Sequence, residues 1–286
     1  MTTWFITGAS RGFGLEIARQ ALERGHNVVG TARDHEAVEK ALPQYPDRLL
    51  AAALDVTEEN QARAAVAAAT AAFGTIDILV NNAGRGVLGA VEEASDATVR
   101  AVYDTNVFGL LNVTRAVLPV MRRQRSGRVL NLSSLGGFSS SGAFGIYCST
   151  KFAVEGISEA MHQELAPLGI DVTIVEPGSF RTDFLDASSL HIEDTVIGDY
   201  AHTSGVLRSA IPAMNHTQPG DPVKGAAAIL ALANADTPPL RAQLGSDCVA
   251  ALEQKIAQLQ QESAAWRRLA LSTDHDDTKT ASSGPG

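Results

Sequence analysis

Cysteine is nearly missing from this chain of 286 residues: only Cys148 and Cys248 occur, far apart in sequence. Two thiols so separated build no disulfide framework, which fits a reducing compartment and two free thiols. Positive charge is also scarce. Lys and Arg number 23 against 32 Asp and Glu, a formal net charge of −9, whereas a general nucleic-acid binder carries a basic face. No uninterrupted apolar run approaches the ~20 residues that a membrane span requires. After Met1, "TTWFITGAS" enters a short apolar strand and a glycine turn without a basic region or a long apolar segment, so no secretory signal is visible. The seven histidines show no metal-ligand spacing, and no internal repeat is present. These absences lead to the expectation of a soluble, cytoplasmic protein that uses no metal and binds no nucleic acid.

What remains is an ordinary globular composition, 45% hydrophobic and 19% charged, with enough apolar content for a sizeable core. The length suits one large α/β domain or two small ones. Apolar runs alternate with helical patterns from the start. "WFIT", "NVVGTA", "RLLAAALDV", "IDILVNNAG", "GRVLNLSS", "IDVTIVEPG" and "LRAQLG" read as strands, separated by amphipathic or alanine-rich helices. Strands apolar on both faces, alternating with helices, indicate a parallel sheet covered on each side. The right-handed crossover rule then leaves a doubly wound α/β sheet of the Rossmann type, with about seven strands, as the simplest topology. The stretch from Asp96 to Gln124 reads as one long helix with a kink at Pro119. Residues 179–221 lose the pattern and are expected to form short helices over the site, a mobile cover. A C-terminal amphipathic helix is expected over about 247–271, closing a single domain of 1–272, and the polar tail 273–286 is expected to be disordered.

"TGASRGFG" ends the first strand and opens the first helix. Gly8 permits a sharp turn, Gly12 lets backbone approach a pyrophosphate, and Gly14 allows close helix–strand packing. The helix N-terminus then offers unpaired N–H groups to phosphates. At the end of the second strand, Ala32 stands where an NAD-selective site would place a carboxylate, and Arg33 follows it. With Arg11 in the turn, this suits the 2′-phosphate of NADP. Both arginines could instead be solvated, and Asp34 could supply the acid in a shifted alignment. Asp55 is a candidate adenine contact or a simple turn residue.

"YCSTK" places Tyr147 and Lys151 four apart, on one face of a helix. Alone, that pattern is weak. In order along the chain, however, stand "TGASRGFG", "NNAG" (Asn81–Gly84), Asn106 in "NVFG", Ser134 in "NLSS", the Tyr147/Lys151 pair and Pro177–Gly178. Together they resemble the short-chain dehydrogenase/reductase family in its compact form, over roughly residues 3–245. The resemblance implies that Tyr147 is the general acid/base and that Lys151 lowers its pKa and holds the nicotinamide ribose. Ser134 would polarise the substrate oxygen, favoured over Ser133 by the family's spacing, and Asn106 would hold a relay water, unless it only caps a local kink. Asn81 is expected to stabilise the central sheet. Cofactor contacts are implied for Gly8, Ser10, Arg11, Gly12, Phe13, Gly14, Arg33, Asp55, Val56, Asn82, Ala83, Gly84, Tyr147, Lys151, Pro177, Gly178 and Thr182.

An ammonium close to a phenol favours the phenolate, so a lowered Tyr147 pKa is expected. Substrate walls are expected from Val87, Leu88, Ser134, Leu135, Phe138, Phe144, Tyr147, Phe184 and the cover. These are mostly apolar, and the expected reaction is NADP(H)-dependent hydride transfer with a hydrophobic ketone, aldehyde or secondary alcohol. A β-ketoacyl thioester reductase using Arg122, Arg123, Arg125 and Arg128 to dock an acidic carrier is the enzymatic alternative. A non-catalytic NADP-binding regulator is the other. The family also implies a homo-oligomer, a dimer or tetramer, with helices near 96–124 and 148–168 as interface faces. Cys148 is expected to be a packed thiol.

Overall fold

The computed structural model describes residues 1–275; the remainder of the tail expected to be disordered, 276–286, lies outside the described residues. Nine strands are seen among the described residues: β1 (Thr3–Thr7), β2 (Asn27–Ala32), β3 (Leu49–Ala53), β4 (Ile78–Asn81), β5 (Gly86–Leu88), β6 (Gly127–Leu132), β7 (Ile170–Pro177), β8 (Leu190–Ile192) and β9 (Arg241–Leu244). Seven of them form one sheet in the order β3-β2-β1-β4-β6-β7-β9. Every pairing in it is parallel, for example Phe5 with Val29 on one side and with Leu79 on the other. The doubly wound parallel sheet read from the sequence is the one observed.

The helices are α1 (Gly12–Glu23), α2 (Glu36–Ala41), α3 (Glu59–Phe73), α4 (Asp96–Tyr103), α5 (Gly109–Gln124), α6 (Gly145–Leu165), α7 (Ser204–Met214), α8 (Pro222–Ala233) and α9 (Ser246–Leu271). Strand alternation sends Trp4 and Ile6 to one face, where they pack with Ile17 and Leu22 of α1 and Ile229 and Leu230 of α8. Phe5, between them, joins Val66 of α3, Val113 and Val117 of α5 and Met161 of α6 on the other. Period-two side chains on a buried sheet thus need an apolar helix on both faces, and each face has its own core.

Three elements differ from the expectation. The long helix of residues 96–124 is interrupted by a π-helical turn at Asp104–Phe108, where a wide turn re-aims a side chain, here Asn106. The cover is not wholly helical. Beside α7 it contains β8, which pairs in parallel with β5 through Gly86↔Leu190 and Leu88↔Ile192. Glu93 and Arg208 fasten it further with a 2.8 Å ion pair whose carboxylate is almost fully buried. Finally, α9 forms over the expected span, yet it is not packed along an apolar face: Cys248 is its one buried residue.

Strands β4 and β6 are tied to the α5–α6 layer by a buried polar chain. Asn81 Nδ2 donates to Thr114 Oγ1 and to Asn131 Oδ1, both at 2.9 Å, and Asn131 Nδ2 donates to Ser158 Oγ at 2.8 Å. Asn81→Ala leaves buried acceptors without a donor, and stability is expected to fall by about 2 kcal/mol. Chemical denaturation checks this; an unchanged midpoint and slope would show that the chain of bonds does not hold the layers.

Candidate active site

Strand order reverses between β1 and β4, and the crevice outside the carboxyl ends at such a reversal is the usual ligand position in open parallel sheets. A cavity of about 1030 Å³ occupies it. Its floor is the glycine turn. Gly8 and Gly12 have φ of +67° and +54°, left-handed values that glycine adopts without strain. A Cβ on Gly14 would collide with the carbonyl oxygen of Gly8, so α1 can begin directly behind the turn only because that side chain is missing. No side chain caps the α1 N-terminus and no acidic residue lies in its first turn. Its amides and dipole are therefore left for an anion.

The turn is locked to the "NNAG" loop. Thr7 Oγ1 accepts from the N–H groups of Asn82 and Ala83 at 3.0 and 2.9 Å. Asn82 Nδ2 donates back to the carbonyls of Thr7 and Gly8 at 2.8 and 3.1 Å. On the π-helical turn, Asn106 accepts from Arg85 N–H and donates to Arg85 C=O, each at 2.9 Å, and donates to Thr150 Oγ1 at 3.0 Å. Asn106 thereby clamps the loop to α6. It is 2% exposed and sits behind Gly84, not on the cavity wall.

The opening helix pattern resolves on α6. Tyr147 and Lys151 both reach the cavity, and the Ser134 hydroxyl, also on its wall, is close enough to the Tyr147 phenol to favour its ionised form. Lys151 Nζ donates to Leu132 C=O at 2.8 Å and lies 5.8 Å from the centre of the phenol ring. Of the two serines, Ser134 makes the tyrosine contact, while Ser133 Oγ is buried without a partner. The electrostatics depart from the expectation. With protein groups alone acting, burial pushes the Tyr147 phenol well above its ordinary value, the Ser134 hydroxyl opposes that, and Lys151 is not among the influences. Burial also lowers Lys151 to about 8, with Glu155 acting against it. Desolvation of both charged forms outweighs their mutual attraction because the ammonium is drawn to a carbonyl.

Most expected contact residues line the cavity: Gly8, Ser10, Arg11, Gly12, Phe13, Arg33, Asp55, Val56, Asn82, Ala83, Gly84, Leu135, Phe144, Pro177, Gly178, Thr182 and Phe184. Gly14 lies beneath the turn and Phe138 falls outside the wall. The one-turn 3₁₀ helix Leu135–Gly137 packs chiefly against α6 and carries the chain past the pocket before Phe138. Val87 and Leu88 are also behind the wall, buried by the β5–β8 pairing. Phe184 and Phe144 flank the Tyr147 ring at 5.3 and 6.1 Å between centres, and Leu207, Ile211 and Met214 extend the apolar side from α7. Cys148 is a buried thiol against Gly136, as expected, and its side of the helix also reaches the cavity.

The two arginines part company. Arg11 is engaged by the cover, donating to Ser188 Oγ at 2.6 Å, Ser188 C=O at 3.1 Å and Ser189 Oγ at 2.8 Å. Arg33 is exposed on the cavity rim with no hydrogen bond or ion pair. Asp55 accepts from Thr57 N–H and Oγ1 at 3.0 and 2.7 Å, a turn residue that also faces the cavity. The sequence reading missed the Arg11 clasp and the Glu93–Arg208 tie, because each joins residues more than 100 positions apart with no local signature. It also missed a charged cluster behind Lys151. Glu155, one turn along α6, and Glu176, fully buried on β7, face Arg241 Nε at 3.1 and 3.5 Å. Gln243 Nε2 also donates to Glu176.

Comparison with known proteins agrees with this geometry. The family model described as short chain dehydrogenase matches residues 2–192. "Oxidoreductase BOA17" of Botryotinia fuckeliana (strain B05.10) is 37% identical over 94% of this chain and 98% of its own. A 3-ketodihydrosphingosine reductase of Bacteroides thetaiotaomicron is 39% identical over 84% of this chain and 86% of its own. Among solved structures, a short-chain dehydrogenase from Streptomyces avermitilis superimposes with a TM-score of 0.89 at 40% identity, covering 96% of this chain and 100% of that one. More distant neighbours carry either nucleotide. A 3-ketoacyl-(acyl-carrier-protein) reductase from Brucella melitensis holds NADH (27% identity, TM-score 0.71, covering 85% of this chain and 96% of that one). A serine dehydrogenase holds NADP+ (26%, 0.73, covering 85% and 94%). The chain belongs to the short-chain dehydrogenase family of oxidoreductases, whose fold binds nicotinamide cofactors. Among the described residues no helix is long and apolar enough to cross a membrane.

The buried carboxylates supply a pH test. Burial first, with the charge of Glu155 adding and the Gln243 bond opposing, pushes Glu176 from 4.5 up to about 7. The folded state then keeps a proton that the unfolded chain releases, so this group's contribution to stability declines as pH rises from about 4.5 to about 7. Glu176→Gln holds the site neutral throughout. Melting curves of both proteins across that range should converge at the acid end and separate toward neutrality, with the variant the more stable. Parallel curves would place the Glu176 titration elsewhere.

Proposed function

We propose that the protein is an NADP(H)-dependent oxidoreductase acting on a hydrophobic ketone, aldehyde or secondary alcohol. The observation that carries this is the meeting of Ser134, Tyr147 and Lys151 in the cavity whose floor is the glycine turn. The cradle suits a dinucleotide: left-handed glycines, an uncapped helix N-terminus, and a Gly84 whose missing Cβ would stand 3.3 Å from Asn106 Oδ1. Gly8, Gly12, Asn82 and Thr182 would hold it, with Arg33 at the ribose of the adenosine half. Bound nicotinamide supplies or accepts the hydride.

The protein groups do the rest. Buried and neutral, the Tyr147 phenol is placed to give its proton to a substrate oxygen as negative charge develops there. Ser134 Oγ, on the same wall beside that hydroxyl, is placed to act on the same oxygen as a second donor. Lys151 sits beside the phenol and is positively charged below about 8; the charge favours the phenolate left after proton transfer. Asn106 holds Arg85 and thereby the loop that closes the cradle.

Leu135, Phe144, Phe184, Leu207, Ile211 and Met214 make the substrate side apolar. A long-chain ketone suits that wall, and the 39% identical reductase of a keto-sphingoid base supports the same class. The carrier-docking reading finds less support. Arg125 donates to Pro167 C=O and Arg128 to Leu232 C=O, at 3.2 and 3.3 Å, which leaves Arg122 and Arg123 as the freely exposed members of the run. Phe108 and Phe152 stand 53% and 47% exposed on the helices proposed for homo-oligomer contacts, consistent with a partner there.

Two variants test the assignment. Tyr147→Phe should retain NADPH binding, measured by fluorescence titration, and lose at least ~100-fold in kcat on an apolar ketone. Unaltered turnover would remove the phenol from the chemistry, and loss of binding as well would mark it as structural. Arg33→Ala should raise the KM for NADPH about tenfold and leave that for NADH unchanged; equal effects on both would count against a 2′-phosphate contact.

A further inference from the structure

The last helix has an unsolved packing problem. Of the 26 residues in α9, only Cys248 is buried, and from Glu253 to Leu271 every residue but Lys255 is exposed. At 1.5 Å per residue such a helix runs for roughly 39 Å. A helix polar on all sides could stand alone in water, but α9 is not one. Val249, Ile256, Leu259 and Trp266 are 45%, 47%, 49% and 67% exposed.

The spacing of these residues is regular. Val249, Leu252, Ile256, Leu259, Ser263 and Trp266 follow one another at alternating steps of three and four. That is the a/d seam of a two-stranded coiled coil, with Val249, Ile256 and Ser263 at a and Leu252, Leu259 and Trp266 at d. A seam narrower than the apolar face of a core-packed helix is what one facing helix needs, and no other described element of the chain covers it.

We propose that α9 pairs antiparallel with α9 of a second copy of this chain, about a two-fold axis between Ala257 and Gln258. In that arrangement an a residue meets a d residue: Val249 faces Trp266, Leu252 faces Ser263 and Ile256 faces Leu259 of the other copy. The flanking charges select the same register. Lys255 then lies against Glu262 across the seam, and Glu253 against Arg267. The two-fold repeats each pair, so four attractive contacts form and no like charges meet. A parallel pairing satisfies less: Lys255 would oppose Gln260, only Glu262 and Arg267 would be matched, and the two Trp266 rings would be forced into one layer. Charge complementarity and layer packing both favour the antiparallel, isologous dimer. This surface is separate from the faces of α4–α5 and α6, and the proposal does not depend on the reaction assigned above.

Three measurements on the full chain test it. Leu252→Cys/Ser263→Cys, whose two positions share one layer of the antiparallel pair, should form a disulfide-linked dimer under mild oxidation, while Ser263→Cys alone, far along the axis from its symmetry mate, should not; the native thiols are both buried. Lys255→Glu should weaken the dimer about tenfold by sedimentation equilibrium, and adding Glu262→Lys should restore it. Trp266 emission should move to longer wavelength on dilution, since the other tryptophan, Trp4, is 0% exposed and stays so. Equal cross-linking of the double and the single cysteine variant or none in either, indifference of the dimer to Lys255→Glu, or an emission spectrum independent of concentration would each overturn the proposal. These variants lie outside the cavity, so their turnover as purified proteins serves as the folding control.

Discussion

The site depends on how tightly the ends of β1 and β4 are drawn together. Thr7, the last residue of β1, accepts two amides from the loop after β4, and Asn82 of that loop donates to two carbonyls of the glycine turn. This four-bond stitch holds two backbone segments at a separation that forbids any side chain on Gly14 and leaves little room at Gly8. A phosphate cradle made of main-chain groups has to be rigid, because amides that must first be oriented lose the benefit of preorganisation. Here much of the rigidity comes from Thr7, which lies off the cavity wall and has no need to touch a ligand.

From that stitch the remaining geometry follows outward. The loop it fixes is held from the other side by Asn106, and Asn106 is bonded to Thr150 on the same helix that carries Tyr147 and Lys151. The glycine turn under the cavity and the side chains proposed to react therefore share one connected framework. Burial in that framework raises the phenol and lowers the ammonium. The pair is kept in its proton-bearing, weakly charged condition until something with charge enters the cavity. A proton donor for a carbonyl needs that condition; a general base would need the reverse.

Local chemistry is what the sequence makes legible. β2 falls on "NVVGTA" as read, since a short apolar run bounded by glycine and arginine–aspartate has few other readings. The choice of Ser134 over Ser133 comes from the spacing of the family that the motifs resemble; alternation along a strand adds only that the two should face opposite ways. The β5–β8 pair was out of reach. Three-residue strands carry almost no periodic signal, and their partners lie about a hundred residues apart. The engagement of Arg11 by Ser188 and Ser189 was hidden for the same reason, and it changes the nucleotide argument, because one of the two arginines counted toward a phosphate is already satisfied. The sign of the Tyr147 shift was misread because spacing reveals a neighbour's charge but not how much water each group loses.

The carboxylate of Asp247, in the first turn of α9, occupies the space a Cβ on Gly178 would need and accepts the amide of Ser179 at 2.7 Å. Pro177 and Gly178 belong to the cavity wall. The C-terminal helix is thus two objects joined end to end. Its first turn is a keystone of the nucleotide pocket, and its distal turns hang free of the fold. Shortened chains that stop after Leu252 should preserve the pocket's architecture, whereas a cut ahead of Ser246 would open its wall; homologues that vary in length at this end can lose the second object without surrendering the first.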